Sequence, residues 1–387
     1  MAQRVTKTQR RKFIRQCGVA AAVLGSGIIT PVSLAKANKA LAFRAGQNPL
    51  WLHFNENSLG MSPRAVEAAQ LATATAGNRY PDDAVAELRE TLGKLNGVET
   101  AQVIFGNGST EVIQAVVTLA ANRGATVIEP TPTFGDVRHY SAAEKMPVVQ
   151  VPVNGNFETD IAALRARADE IEGPLLINIC NPNNPTGTIV DQTALESWID
   201  KAPDHHSFLI DEAYYEYAQA NASYRSLLSK IQAGRENLVI TRTFSKIYGM
   251  AGMRVGYGIA APATAKEVRK FAAGYNMTAA GVAAALASLA DEAFFAKSIQ
   301  SNLLAKSILL ETLDELNLAH VDSNTNFVLH RINARLSDYA LRMRENGIRV
   351  GRRMTADDGW NRISVGTPEE MRSFSKTLRE FRNRGWV

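Results

Sequence analysis

The sequence predicts an α/β protein, with a large domain built on a mostly parallel sheet flanked by helices and a smaller α+β domain. Three observations predict it. Helical and strand-like runs alternate from residue 100 to 260, the pattern of a parallel sheet covered on both faces. Two of those runs, Leu175 to Cys180 (apolar but for Asn178) and Phe208 to Ile210, lead into polar residues, as buried strands do at a sheet's C-terminal edge. From Ala279 to Asn317 the pattern is helical, with Gly281 near its start, and reads as the passage into the second domain. Residues 71–275 are therefore expected to form the large domain and residues 46–70 with 276–387 the small one. Val328, Ile348 to Val350 and Ile363 to Val365 are its expected strands.

The first residues have a separate logic. The run Gln9-Arg10-Arg11-Lys12-Phe13-Ile14-Arg15 resembles a twin-arginine export signal, and Ala35-Lys36-Ala37 matches an A-x-A cleavage site. Between them, Gln16 to Ala35 is uncharged but only mildly apolar, interrupted by Gly18, Gly25, Ser26 and Gly27. That suits a cleaved leader better than a membrane anchor, which needs about 20 strongly apolar residues. Residues 1–37 are thus expected to be a signal peptide read by the twin-arginine export machinery. The protein would then be periplasmic or secreted, with no stable membrane span.

Charge and cysteine usage agree with that division. The chain carries a formal charge of +5, but residues 1–37 hold seven Lys or Arg and no acids, which leaves the remainder at −2. The basic balance belongs to the leader, so nucleic acid is not an expected partner. Cys17 would leave with the leader, and Cys180 alone cannot form an intrachain disulfide. About 350 remaining residues are enough to bury a large core.

In chain order, Ser62-Pro63 opens a helix with a cap and a proline at its first position, and Gly77 is placed to close it. Tyr80 precedes a turn. Val103 to Phe105 leads through Gly106-Asn107-Gly108 into Ser109-Thr110 and an amphipathic stretch, Val112 to Ala121. This strand, glycine turn and helix N-terminus make an anion site, because free N–H groups and the helix dipole converge there. Phe134 offers a face for stacking on a heteroaromatic ring, although a phenylalanine is more often core. Asn181-Pro182-Asn183-Asn184-Pro185-Thr186-Gly187 follows a strand, and its two prolines hold Asn184 rigidly at the strand end. Asp211 ends the next strand, at the edge where open α/β sheets bind ligands. Thr243-Phe244-Ser245-Lys246, with Arg254 eight residues on, combines an amine with hydroxyls and a guanidinium. That combination suits an aldehyde cofactor bearing a phosphate. The six histidines show no metal-ligand spacing, so no metal is expected.

Together these segments resemble a fold-type-I pyridoxal-phosphate enzyme of the class I/II aminotransferase group, and most closely the histidinol-phosphate aminotransferases. The resemblance runs from about Leu52 to the C-terminus. It is carried by Asn55-Glu56-Asn57, Arg79-Tyr80-Pro81, Asn184-Pro185-Thr186-Gly187, Asp211-Glu212-Ala213-Tyr214, Ser245-Lys246, Arg254 and Asn361-Arg362-Ile363-Ser364-Val365-Gly366. It implies that the cofactor is pyridoxal 5'-phosphate, with Lys246 as the Schiff-base lysine and proton shuttle. Asp211 would pair with the ring nitrogen, Asn184 and Tyr214 would bond the phenolic oxygen, and Phe134 would stack on the ring. Ser109, Thr110, Thr243, Ser245 and Arg254 would hold the phosphate. Arg362 would clamp the substrate α-carboxylate, Asn57 would contribute to substrate binding, and Tyr80 would reach across a homodimer.

The sequence also departs from the family pattern. Ser58 stands where relatives usually carry proline, and Phe134 where they often carry tyrosine. A second substrate arginine is expected soon after Gly347-Ile348, but the arginines fall at Arg349, Arg352 and Arg353. The implied reaction is transamination between an L-amino acid and a 2-oxo acid. Lys246 and Asp211 would equally serve a decarboxylase or lyase, and a non-catalytic binding protein is a remote alternative.

Overall fold

A computed structural model describes residues 49–351 and 359–387. The expected leader, with Arg10 and Arg11, lies outside the described residues, as do Arg352 and Arg353. The strands, numbered in chain order, are β1 (Leu50–Leu52), β2 (Val103–Asn107), β3 (Thr126–Thr131), β4 (Val148–Pro152), β5 (Leu175–Cys180), β6 (His206–Asp211), β7 (Leu238–Thr243), β8 (Val255–Ala260), β9 (Phe327–Arg331), β10 (Ile348–Val350) and β11 (Trp360–Ser364).

Seven of them form one sheet in the order β2-β8-β7-β6-β5-β3-β4. The pairs from β7 through β4 are parallel, and β8 runs antiparallel to both β2 and β7. Every residue of β5, β7 and β8 is buried, as expected where helices cover both faces of a sheet. The smaller region pairs β1 with β10 in parallel and β11 with β9 antiparallel. Sequence and structure agree on this α/β architecture.

The helix opened by Ser62 runs Pro63–Ala76, and the Ser62 hydroxyl accepts from the amide of Ala65. The stretch Ala279 to Asn317, expected as one helical run, is two helices, Ala279–Leu289 and Glu292–Glu315, bent by 80°. Asp291 makes the break: its carboxylate caps the second helix at the amide of Phe294 and accepts from Ser62 at 2.6 Å. A side chain that satisfies orphan N–H groups starts a new helix rather than continuing the old one.

That break moves the domain boundary. Ala65, Ala69, Val282, Ala284 and Ala285 belong to the apolar core beneath the large sheet. Leu50, Leu52, Ala305, Leu309, Phe374 and Leu378 share a second core. The first helix and the helix Ala279–Leu289 thus side with the large domain, where the sequence reading divided the first at residue 70 and put the second in the small one. Their alanine-rich faces pack closely on each other, and the apolar pattern alone does not reveal which domain they pack on.

Candidate active site

The C-terminal ends of β5, β6 and β7 and the turn after β2 converge on a cleft of about 700 Å³, closed on its other side by residues of the small domain. Its first end is built for an anion. β2 passes through Gly108, at φ 74°, directly into the helix Ser109–Asn122. A Cβ on Gly108 would collide with the Arg254 guanidinium, and one on Gly256 with the Gly108–Ser109 backbone. Glycine at both positions lets the turn, the helix N-terminus and the arginine close on one point. Arg254, itself at φ 56°, donates to Ser245 Oγ at 3.4 Å and to the carbonyls of Ala251 and Asn107 at 3.0 Å each. Thr243 Oγ1 donates to Ser245 Oγ at 2.9 Å and accepts from the Ser245 amide at 3.1 Å. Thr110 also lines the cleft, but its hydroxyl donates to Asp136 at 3.1 Å.

The centre holds the acid and the amine. Asp211 ends β6 in register with Cys180 and Thr241, and its Oδ1 accepts from Thr241 Oγ1 at 3.1 Å. Burial pushes its carboxyl up to about 6, with the Thr241 hydrogen bond opposing. The next residue, Glu212, turns the other way and forms a buried pair with Arg242 at 2.8 Å. Arg242 also lies over the Tyr215 ring at 3.7 Å, so the strand end that presents Asp211 is pinned from behind. Lys246 Nζ donates to the Phe54 carbonyl at 3.3 Å and sits 5.6 Å from the Tyr214 ring centre. Burial, then Arg362, lowers its amine to about 8, against the pull of Glu56 and Asp211. A lysine in that range is a serviceable base near neutral pH. Phe134 and Cys180 complete the wall, and burial pushes the Cys180 thiol up.

The far end is assembled from both domains. Arg362, from β11 and 8 % exposed, donates to Asn184 Oδ1 and to the His53 carbonyl, each at 2.7 Å. Asn184 Nδ2 donates to Tyr214 Oη at 3.4 Å, and Asn55 Nδ2 donates to the same oxygen at 3.0 Å. Burial raises the Tyr214 phenol well above its ordinary range. His53, Ala340, Arg344, Val350 and Gly351 line the mouth.

The structure therefore brings Lys246, Asp211, Tyr214, Ser109, Thr110, Phe134, Asn184, Thr243, Ser245, Arg254 and Arg362 to one cleft. Two expected residues lie elsewhere. Asn57 does not line it: its amide donates to the Ile247 carbonyl at 2.7 Å and Ser298 at 3.0 Å, and it clamps the backbone behind Lys246. Tyr80 is 73 % exposed, away from its own chain's cleft, with its ring against Tyr275. Residues the sequence reading missed are Asn55, two positions before Asn57 in the same motif, and His53 and Arg344, which no local pattern marked. Of the arginines soon after Ile348 (Arg349, Arg352 and Arg353), only Arg349 is among the described residues, and it does not line the cleft. Arg349 lies over Trp51, and Gly351 leaves no room for a side chain beside the Arg362 backbone.

An anion cradle at one end of the cleft and a buried acid and an amine at its centre fit pyridoxal phosphate. The Gly108 and Gly256 contacts show the cradle is shaped by close backbone approach. Among the described residues no group of three His, Cys, Asp or Glu is placed to hold a metal ion.

Residues 47–378 match the family described as aminotransferase class I and II, and the chain belongs to that family. It is similar to the histidinol-phosphate aminotransferase of Moorella thermoacetica, 35% identical over 333 residues, covering 84% of this chain and 83% of that one. Among solved structures, the histidinol-phosphate aminotransferase of Sinorhizobium meliloti in complex with pyridoxal-5'-phosphate superposes with a TM-score of 0.79 at 25% identity, covering 92% and 98% of the two chains. A protein from Erwinia carotovora atroseptica, provisionally named a histidinol-phosphate aminotransferase, superposes at 0.86 with 39% identity, covering 89% and 100%. The protein is a pyridoxal-phosphate-dependent aminotransferase of the fold-type-I class.

Proposed function

We propose that the protein transfers the amino group of an L-amino acid or a histidinol-phosphate-like amine to a 2-oxo acid. The observation that carries this reading is Arg362, a buried guanidinium fixed by Asn184 and the His53 carbonyl, facing the cleft that holds Lys246. An arginine preset in this way holds a carboxylate in one pose. The relatives' names, histidinol-phosphate aminotransferases, support a histidinol-phosphate-like donor. Among the described residues, Arg344 at the mouth is a cation available for a distal anion.

The bound cofactor supplies an electrophilic ring that takes up the electron pair left when the substrate Cα–H bond breaks. This chain's residues decide which bond that is. Arg362 orients the substrate, and Lys246 takes the Cα proton and returns it at the other end of the transfer. Asp211, as an anion, keeps a proton on the ring nitrogen, and Phe134 packs the ring face.

Mass analysis of products from a panel of amino donors with 2-oxoglutarate tests the reaction. A new 2-oxo acid matched by glutamate is expected. Carbon dioxide released with an amine product, or ammonia released together with an oxo acid, in either case with no acceptor consumed and no glutamate formed, would establish the decarboxylase or lyase reading instead.

The working form proposed is an exported homodimer. The Arg10-Arg11 pair supports export. The exposed Tyr80–Tyr275 pair, ring centres 4.8 Å apart, supports a second subunit covering that face. Changing both arginines to lysine is expected to trap precursor in the cytoplasm, and sedimentation of the mature protein is expected to give twice the chain mass. Normal export or a monomer removes the respective proposal.

A further inference from the structure

The hydrogen bonds around Tyr214 have a polarity that two fixed donors determine. Arginine side chains only donate, so Asn184 must turn its oxygen to Arg362 and its NH₂ to Tyr214 Oη. The second chain starts at a backbone amide. Asn55 N donates to Ser364 Oγ at 2.8 Å, which leaves the Ser364 proton to donate to Asn55 Oδ1 at 3.0 Å. Asn55 must then also present its NH₂ to Tyr214 Oη, at 3.0 Å. Both amides arrive as donors. Neither NH₂ group can accept, so the phenol's one proton is left to point into the cleft.

We propose that Asn55 and Ser364 are positioning residues that commit the Tyr214 hydroxyl to donate toward the bound cofactor. Asn55 is suited to this. It is 1 % exposed, holds φ 56°, and is tied at its own carbonyl by Asn326 Nδ2 at 3.0 Å. Its two predecessors present the His53 carbonyl to Arg362 and the Phe54 carbonyl to Lys246. Three consecutive residues therefore each fix one working side chain. The relay also joins the domains, because Ser364 ends β11 while Tyr214 follows β6. The charged and titratable groups near the phenol are Arg362, Cys180, Asp211, Lys246 and Tyr217.

A hydroxyl donating to the cofactor's phenolic oxygen stabilises the form that carries more negative charge there. The test is a pH titration of the holoenzyme's visible absorbance in wild type, Asn55→Asp, Ser364→Ala, Tyr214→Phe, and each of the first two combined with Tyr214→Phe. Asn55→Asp offers an acceptor that draws the phenol proton away, and Ser364→Ala frees the Asn55 amide to turn over. Both are expected to raise the midpoint, by about one pH unit for Asn55→Asp, the size of one charge-assisted hydrogen bond. In the Tyr214→Phe background neither is expected to move it further. Equal shifts with and without the phenol would overturn the proposal, as would no shift in a folded variant. If Asn55→Asp does not fold, Ser364→Ala decides alone. The inference rests on the cofactor occupying this cleft: a wild-type protein that takes up no visible chromophore overturns that assignment and this one together.

Discussion

The two ends of the cleft are built in opposite ways. The anion end draws on Ser109, Thr243, Ser245 and Arg254, all from the large domain, and is shaped by backbone approach at Gly108 and Gly256. The substrate end joins Arg362 of the small domain to Asn184 of the large one and to the His53 carbonyl of the segment between them. The first depends on local geometry within one rigid sheet. The second exists only while two domains keep their register. Cofactor retention and substrate choice should therefore respond to different substitutions.

The largest expected effect is at the centre, which both ends serve. Lys246→Ala should lower single-turnover amino transfer by at least about 10⁴-fold, since it removes the base itself, while sedimentation and melting stay near wild type. Transfer that survives would place the chemistry on another group and make the comparison of the two ends meaningless.

Asp211→Asn separates catalysis from stability. Activity should fall by about 10²–10³-fold with the loss of the charge at the ring nitrogen. The folded carboxyl sits at about 6 against an ordinary 3.8, so below pH 4 the side chain is neutral folded or unfolded and costs nothing extra. As pH rises through 4 to 6 the fold must accept a buried anion, and stability falls. Apo-protein carrying Asp211→Asn should thus melt like wild type at pH 4 and be more stable at pH 7, by at most about 3 kcal/mol. Identical melting curves at both values would show that the acid is not held against its preference.

The ends themselves should divide cleanly. Gly256→Ala, whose Cβ would strike the Gly108–Ser109 backbone, should weaken cofactor binding by about 10–100-fold, equivalent to 1.4–3 kcal/mol of overpacking. Activity should return with excess cofactor. Arg362→Ala should leave cofactor binding intact and reduce kcat/KM for carboxylate-bearing donors by a similar factor. Equilibrium dialysis and donor kinetics on both variants check this. A KM effect from Gly256→Ala, or cofactor loss from Arg362→Ala, would mean the ends are coupled.

What the sequence disclosed follows the same division. The glycine turn, Asp211 at its strand end and the Thr243-to-Arg254 run were legible because each is a short stretch whose spacing alone brings its groups together. The substrate end was not. Arg362 was found through a resemblance, while its support by His53 spans 309 positions and its bond to Asn184 spans 178. No periodicity reports such distances. The placement of Ala279–Leu289 escaped for a related reason, since an alanine-rich face fits either core and only the Asp291 cap separates the helices.

Asn57 gives the smallest expected effect and the finest test of how a motif divides its labour. In Asn55-Glu56-Asn57, the left-handed turn at Asn55 sends one amide to Tyr214 and leaves the other to reach Ile247 and Ser298. The Ile247 carbonyl follows Lys246 directly, so Asn57 ties down the backbone behind the working amine without touching the cleft. Asn57→Ala removes a donor from a part-buried carbonyl and should cost about 1–2 kcal/mol in denaturant unfolding. KM for every donor should stay within about twofold, because the cleft lining is unchanged. Kinetic dependence on donor size or charge in this variant would return Asn57 to the substrate end, and the division between the two asparagines would be lost.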